Sequence, residues 1–310
     1  MKRGVTLAGT LAAASLPNST PFAEVQSQES KPPRDAHLEV QSDVTIRRRI
    51  VSTPFGQVHV RTTEGRGLPP LLLLHMTPLS GAMFEEFMLE MGRERMLIAP
   101  DRVGYGASDT PRGDLSMEDY ARATLAVLDA LGCRTVDVFG IHTGSTEAVE
   151  LAFAAPRKIR RVGVVGVPLF TEAEIAERRA TRVLPPPPPS EDGSHLLVVW
   201  RRRFVYRHPP YDLPYLHWYT IEELKARPYA GLAYKAVYSY PMATRLKALT
   251  QPLIVFAAHD DAFEQTARSQ PFLPPGAIYL DLPNFQFDIF HVKVKEMSNL
   301  VRRHFPVDQD

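Results

Sequence analysis

The stretch from Val136 to Ala152, VDVFGIHTGSTEAVELA, decides how the rest of the chain is read. Its opening VDVFG is an apolar run rich in β-branched and aromatic residues, the pattern of a strand covered on both faces. From Thr143 the residues favour a helix, with no proline before Pro156. Between them lies Gly140-Ile141-His142-Thr143-Gly144. Glycines on either side of a central residue suit a tight strand-to-helix turn, which crowds its neighbours and exposes the central side chain. That central side chain is the imidazole of His142.

The same grammar extends in both directions. DVTIRRRIVSTPFGQVHVRTTEG, from Asp43, reads as two strands around a Pro-Phe-Gly turn. PLLLLH (70–75), MLIAPD (96–101), RVGVVGVP (161–168), PLIVFAA (252–258) and AIYLDL (277–282) are further buried-strand runs. SMEDYARATLAVLDALG (116–132) has apolar positions at helical spacing, with Ser116 as N-cap and Gly132 as the stop, and a last helix is expected from about Val292 to Phe305. Strands alternating with helices imply a mostly parallel, doubly wound α/β sheet. The alternation breaks between Leu169 and Tyr240, where a proline run (185–189) precedes a segment dense in Tyr, Phe, Trp and His. The prolines read as an exposed polyproline II loop. The rest reads as a helical insertion over the edge of the sheet where open α/β sheets bind ligands. The expected organisation is therefore a tail over 1–40, a core over 41–168 and 241–310, and a cap insertion over 169–240.

Composition narrows the function classes. A chain of 310 residues with 44% hydrophobic residues and a formal charge of +1 suits a globular α/β protein with an insertion, or two small domains. The even charge balance and the lack of a basic stripe with interleaved aromatics argue against nucleic acid. The short runs IRRRI and WRRRF read as solvated faces or local ion pairs. Cys133, the single cysteine, excludes an intrachain disulfide and a cysteine-based zinc site, and reads as a small core residue. The N-terminus carries Lys2-Arg3 and then a mildly apolar stretch from Gly4 to Leu16. This resembles a bacterial export leader, which favours an exported or periplasmic location over a cytoplasmic one; the alternative is a disordered tail. No later stretch is long and apolar enough for a transmembrane helix, so no membrane partner is expected.

The order of motifs resembles the α/β-hydrolase fold with a cap, over roughly residues 44–306. LLHMTPLSG (73–81) resembles the family's oxyanion segment, DRVGYGASDTP (101–111) its strand-four turn, GIHTG (140–144) its nucleophile elbow, and FAAHDD (256–261) the end of the strand carrying the triad acid. The resemblance implies that the backbone N–H groups of Thr77 and Thr143 are oxyanion donors, that His75 belongs to the oxyanion and substrate-binding segment, more as a buttress than as a ligand, and that Asp261 is the acid, with Asp260 as the less favoured position. The family's histidine is expected in PNFQFDIFH (283–291), where Gln286 or Phe287 occupies the usual place, Gln286 is expected among the substrate-binding residues, and His291 follows a few residues later.

The departures decide the chemistry. His142 stands where the family has Ser, Cys or Asp, and Met76 replaces a glycine after His75. A serine nucleophile needs a base to take its proton, and Ser145 lies too far into the turn to substitute. The far imidazole nitrogen reaches roughly 2 Å beyond a serine oxygen on ordinary bond lengths, so His142 is expected to meet Asp261 directly and act as a general base towards water or an acidic C–H. The expected function is an enzyme acting on a small organic substrate, by hydrolysis or lyase-type proton abstraction, without cofactor or metal. The alternatives are recruitment of His291 as the base, and a non-catalytic binder of a small molecule, a role other members of this fold fill. A metal held by His75, His142 and His259 is a further reading, weakened by the absence of ligand spacing on one helix.

Overall fold

Eight strands form one sheet in the order β1-β2-β4-β3-β5-β6-β7-β8 in the computed structural model, which describes residues 43–183, 188–204, 213–226, 231–286 and 289–307. The tail over 1–40, the prolines 185–187 and Phe287 lie outside the described residues. β1 (Arg47–Thr53) and β2 (Gly56–Thr62) form the expected hairpin, and β2 runs antiparallel to β4 (Arg95–Pro100). β3 (Gly67–Leu74), β4, β5 (Val136–Ile141), β6 (Ile159–Val165), β7 (Leu253–Ala258) and β8 (Ile278–Leu282) are all parallel. This is the doubly wound α/β architecture that the strand–helix alternation implies.

The period of two along β5 shows why the sheet is buried on both faces. Val136 and Val138 face one core with α2 (Met117–Ala130) and α3 (Thr143–Ala154); Phe139 and Ile141 face the other. On the second face Phe139 meets Phe290 edge-on at 5.4 Å and packs near Phe256 and Phe305. Fully burying a side chain of this class contributes about 1.5–3 kcal/mol. Asp137 shares that face and is wholly buried, so its charge requires partners; Arg95 and Arg160 donate to it at 2.8 and 2.9 Å. Ser116 caps α2 through a reciprocal bond pair with Asp119, and Gly132 ends it at φ +72°. Two arginines of the run on β1 form ion pairs, Arg47 with Glu64 and Arg48 with Glu85, and Cys133 is buried.

Between β6 and β7 come α4 (Glu172–Arg182), α5 (Ser194–Phe204), α6 (Leu213–Lys225), α7 (Leu232–Ser239) and α8 (Met242–Lys247). Val40–Asp310 forms one compact unit, and hydrogen bonds tie this helical insertion to the core. The Ser80 hydroxyl donates to buried Glu222 on α6 at 2.5 Å, the Tyr234 hydroxyl on α7 donates to the Thr77 carbonyl at 2.9 Å, and the Ala233 N–H donates to the Tyr105 hydroxyl at 3.2 Å. After β8 come α10 (Ile289–Val292) and α11 (Val294–His304); α9 (Phe263–Arg268) follows β7. Among the described residues no helix is long and apolar enough to cross a membrane.

Candidate active site at the sheet edge

Parallel register brings the ends of four strands together. Leu74 of β3 pairs with Gly140, Ile141 with Val165 of β6, and Val165 with Phe256 of β7. The residues just past these ends are His75, His142, Gly166 and the His259–Asp261 segment, so the topology alone assembles them.

His142 sits at φ 50°, ψ −108°, the one positive-φ residue other than glycine among the described residues. A non-glycine residue in such a region carries strain of order 1–3 kcal/mol, held only when its surroundings over-determine it. Here the surroundings are close. A Cβ on Gly140 would lie 2.1 Å from the Gly144 carbonyl oxygen, and one on Gly144 would lie 2.0 Å from that of Leu74. Both glycines are therefore obligatory for the turn. Ser145 is excluded as a nucleophile by its own bonds: its buried hydroxyl lies 3.0 Å from the Gly140 carbonyl and 2.7 Å from that of Val165.

The imidazole lies over Gly166, where a Cβ would come within 2.7 Å of Cδ2 and 2.9 Å of Nε2 of His142. Sequence reading passes over Gly166. Its signal is a glycine at the end of the strand that neighbours the elbow, where a close approach is common.

His142 Nε2 is 2.8 Å from Asp260 Oδ2, whose side chain is only 2% exposed. Asp261, the acid expected to meet the imidazole, lies 3.9 Å from Nδ1 and is 37% exposed. The hydrogen-bonded partner is thus Asp260. The reason is the turn after β7: the Ala262 N–H donates to Asp260 Oδ1 at 2.8 Å and holds this carboxylate inward, while the next side chain takes the outer wall. Burial, the largest influence on His142, favours the neutral ring. The Asp260 charge and hydrogen bond, with the Asp261 charge, outweigh it and raise the pKa to about 9, against a smaller opposing push from Arg182. At neutral pH the ring is an imidazolium, not the neutral imidazole that a base requires.

His75 is the reverse case. Its Nδ1–H donates to the Met76 carbonyl at 2.8 Å, and its Nε2 accepts the Arg102 N–H at 2.9 Å. Burial first, then the Arg102 charge, lower its pKa to about 3. Both ring nitrogens are occupied, so His75 braces the loop after β3 and does not line the cavity above His142. This fits the buttress reading and removes His75 from the residues that line the substrate cavity.

Two further expectations are corrected. Gln286 is exposed and absent from the cavity wall, because its loop folds onto β7 through the Phe285 carbonyl, which accepts the His259 N–H at 2.7 Å. His291 does not reach His142: its Nδ1 is 2.9 Å from Glu86 and its ring stacks on Tyr215 at 4.4 Å. The three-histidine metal reading fails on the same kind of evidence, since His259 pairs with Asp281 at 2.7 Å while His75 is fully engaged. Among the described residues the grouping that could offer ligand atoms to a metal is His142, Asp260 and Asp261, with those atoms within 4.8 Å of one another. A proton between His142 and Asp260 already bridges part of this group.

Thr77 and Thr143 both line the cavity, an open space of about 650 Å³ that merges with solvent. Thr143 begins α3, where N–H groups lack intrahelical acceptors. The remaining wall includes Met76 and Ala262 from the core and Phe170, Arg178, Tyr234 and Tyr238 from the insertion side.

Fold and turn together define the class, and comparison with known proteins agrees. Residues 69–188 match the family model for the alpha/beta hydrolase fold. A 2-hydroxymuconate semialdehyde hydrolase from Pseudomonas putida is 33% identical over 109 residues, covering 33% of this chain and 37% of that protein. A 2-(acetamidomethylene)succinate hydrolase from Mesorhizobium japonicum is 26% identical over 149 residues, covering 48% and 52%. The matched stretch thus spans between about a third and a half of these curated relatives. Among solved structures, a hydrolase from Pseudomonas aeruginosa aligns with a TM-score of 0.68 at 19% identity, covering 84% of this chain and 98% of that one. An epoxide hydrolase from Vigna radiata aligns at 0.66 and 17%, covering 84% and 97%. The chain has the α/β-hydrolase fold.

Proposed function

We propose that this protein is a hydrolytic enzyme for a small organic substrate, in which a His142–Asp260 pair does the work of the missing nucleophile and its base. The observation that carries this reading is the 2.8 Å bond between an imidazole on a strained elbow and a buried, backbone-held carboxylate. Asp260 accepts the Nε2–H and fixes the tautomer, so Nδ1 is the nitrogen offered to the cavity. In the neutral ring Nδ1 takes a proton from water as the water oxygen bonds to the substrate carbonyl carbon. The oxyanion is received by the N–H groups of Thr77 and Thr143. The imidazolium then returns its proton to the leaving group as the bond to that group breaks. The same base can remove an acidic C–H proton, which leaves lyase-type chemistry open at this site.

The raised pKa of His142 sets the test. If Nδ1 is the base, kcat/KM for an activated ester such as 4-nitrophenyl acetate rises about tenfold per pH unit until it levels near pH 9. His142→Ala removes that limb and lowers the rate by about 10²-fold or more, the usual weight of a positioned base. Undiminished turnover in His142→Ala refutes the assignment. The protonated state at neutral pH also favours a second reading, a binder that uses His142 as a fixed cation. That reading predicts thermal stabilisation by a ligand recovered unchanged by mass spectrometry.

A further inference from the structure

The cavity that His142 faces also carries a charge that hydrolysis does not use. α4 presents Arg178 to the cavity and, one turn later on the same face, Arg182. The Arg178 guanidinium lies 4.3 Å from the centroid of the Phe170 ring, and Tyr238 lines the same cavity. A guanidinium stacked on an aromatic face keeps its in-plane N–H fork for a planar anion. Other arginines near α4 are spent within the fold. Arg268 pairs with Glu174, and Arg179 donates to the Tyr238 carbonyl and the Ser239 hydroxyl. Among the described residues no carboxylate forms an ion pair with Arg178. The carboxylates at the floor, Asp260 and Asp261, flank His142 instead.

We infer that the cavity takes a small molecule bearing a carboxylate, held by the Arg178 fork with Arg182 beside it. The inference rests on the cavity being the substrate site proposed above, and it adds the substrate class. Charge supports it: Arg178 lines the cavity without an ion-paired carboxylate among the described residues, while Asp260 and Asp261 flank His142. Geometry supports it as well, because the guanidinium is already held against the Phe170 ring, which lowers the cost of ordering it on binding.

The test uses matched probes on the full chain. 4-Nitrophenyl hydrogen succinate and 4-nitrophenyl butyrate are similar in size, and only the first ends in a carboxylate. Succinate and dimethyl succinate serve as the corresponding non-reacting ligands, read by thermal shift. The wild type is expected to prefer the charged ester by about tenfold or more in kcat/KM, the scale of one charge-assisted fork. Arg178→Gln should abolish the ratio, and Arg179→Gln on the same helix should keep it. Succinate, not its dimethyl ester, should stabilise the wild type and fail to stabilise Arg178→Gln, whose unliganded melt checks its folding. Equal rates for the two esters with no stabilisation by succinate overturn the inference, as does a preference that survives in Arg178→Gln. Succinate binding that depends on Arg178 without turnover of either ester upholds the anion site and refutes the hydrolytic reading. Turnover of both esters without preference does the opposite.

Discussion

His75 and His142 follow adjacent strands, β3 and β5, at the same edge of the sheet, yet their protons are held in opposite ways. Both are largely buried, and burial pushes both towards the neutral ring. At His75 burial and the Arg102 cation are only partly offset by the Met76 carbonyl and the Asp101 charge, and the pKa falls to about 3. At His142 two carboxylates offset burial and the pKa rises to about 9. The difference lies in what the next strand supplies. β7 ends in Asp260 and Asp261 beside the elbow, whereas the loop after β4 brings Arg102 beside His75. One histidine is thereby a fixed strut and the other a proton-holding group facing a cavity.

The largest expected effect breaks the pair that makes His142 different. Asp260→Asn removes the charge and the preferred acceptor of Nε2–H and can present an amide N–H to the wrong tautomer. The His142 pKa, followed by imidazole NMR, should drop from about 9 towards or below the ordinary value of 6.5. Esterase activity should fall by roughly 10²–10⁴-fold, the range seen when an orienting carboxylate is lost. Unchanged activity with a lowered pKa would separate the proton from the chemistry and favour the binding role.

Next in size is the strut. His75→Leu leaves the buried Arg102 N–H and Met76 carbonyl without their ring partners, and such unsatisfied groups cost about 1–3 kcal/mol each. Urea unfolding at pH 8 should show that loss. The two histidines also give opposite pH limbs in the wild type. His75 has a folded pKa below 6.5, so its contribution is intact above 6.5 and is lost as pH falls towards 3. His142 has a folded pKa above 6.5, so its contribution is complete below 6.5 and is lost as pH rises through about 9. His75→Leu should flatten the acid limb and leave the alkaline limb. An unaltered acid slope would mean that carboxylates, not His75, set it.

How far these roles could be read in advance depended on local geometry. Runs such as PLLLLH and PLIVFAA announce their strands because a buried parallel strand tolerates little else. Gly140 and Gly144 announce the elbow because backbone atoms occupy the space of a side chain at both. The acid was displaced by one residue, since strand periodicity ends at Ala258 and the irregular turn that follows has no fixed period. The Ala262 N–H chooses between adjacent aspartates, and only coordinates show that choice. Gly166 and Arg178 were invisible for a related reason: each matters through a neighbour distant in sequence, the His142 ring for one and the cavity for the other. The charge of His142 was beyond reach too, because burial and the carboxylates oppose each other and distances decide between them.

The smallest expected effect concerns Asp261 and sharpens the comparison from within the site. Its carboxylate stands 3.9 Å from Nδ1, is more than a third exposed and forms no direct hydrogen bond to the ring, so solvent weakens its hold on the imidazolium. Asp261→Asn should lower the His142 pKa less than Asp260→Asn does and shift the alkaline limb of activity slightly towards neutral pH. The rate at pH 9 should change by less than about tenfold, because Nε2 remains fixed by Asp260. At pH 7 the same variant should be somewhat faster, since more of the ring is neutral and able to accept a proton. It should also bind succinate more tightly, because a negative charge has left a cavity lined by Arg178 and Arg182. Parallel measurements of the two asparagine variants therefore rank the acids. If Asp261→Asn loses activity as completely as Asp260→Asn, then the acid at the cavity wall orients His142 during turnover, and the buried partner is the one that only holds it at rest.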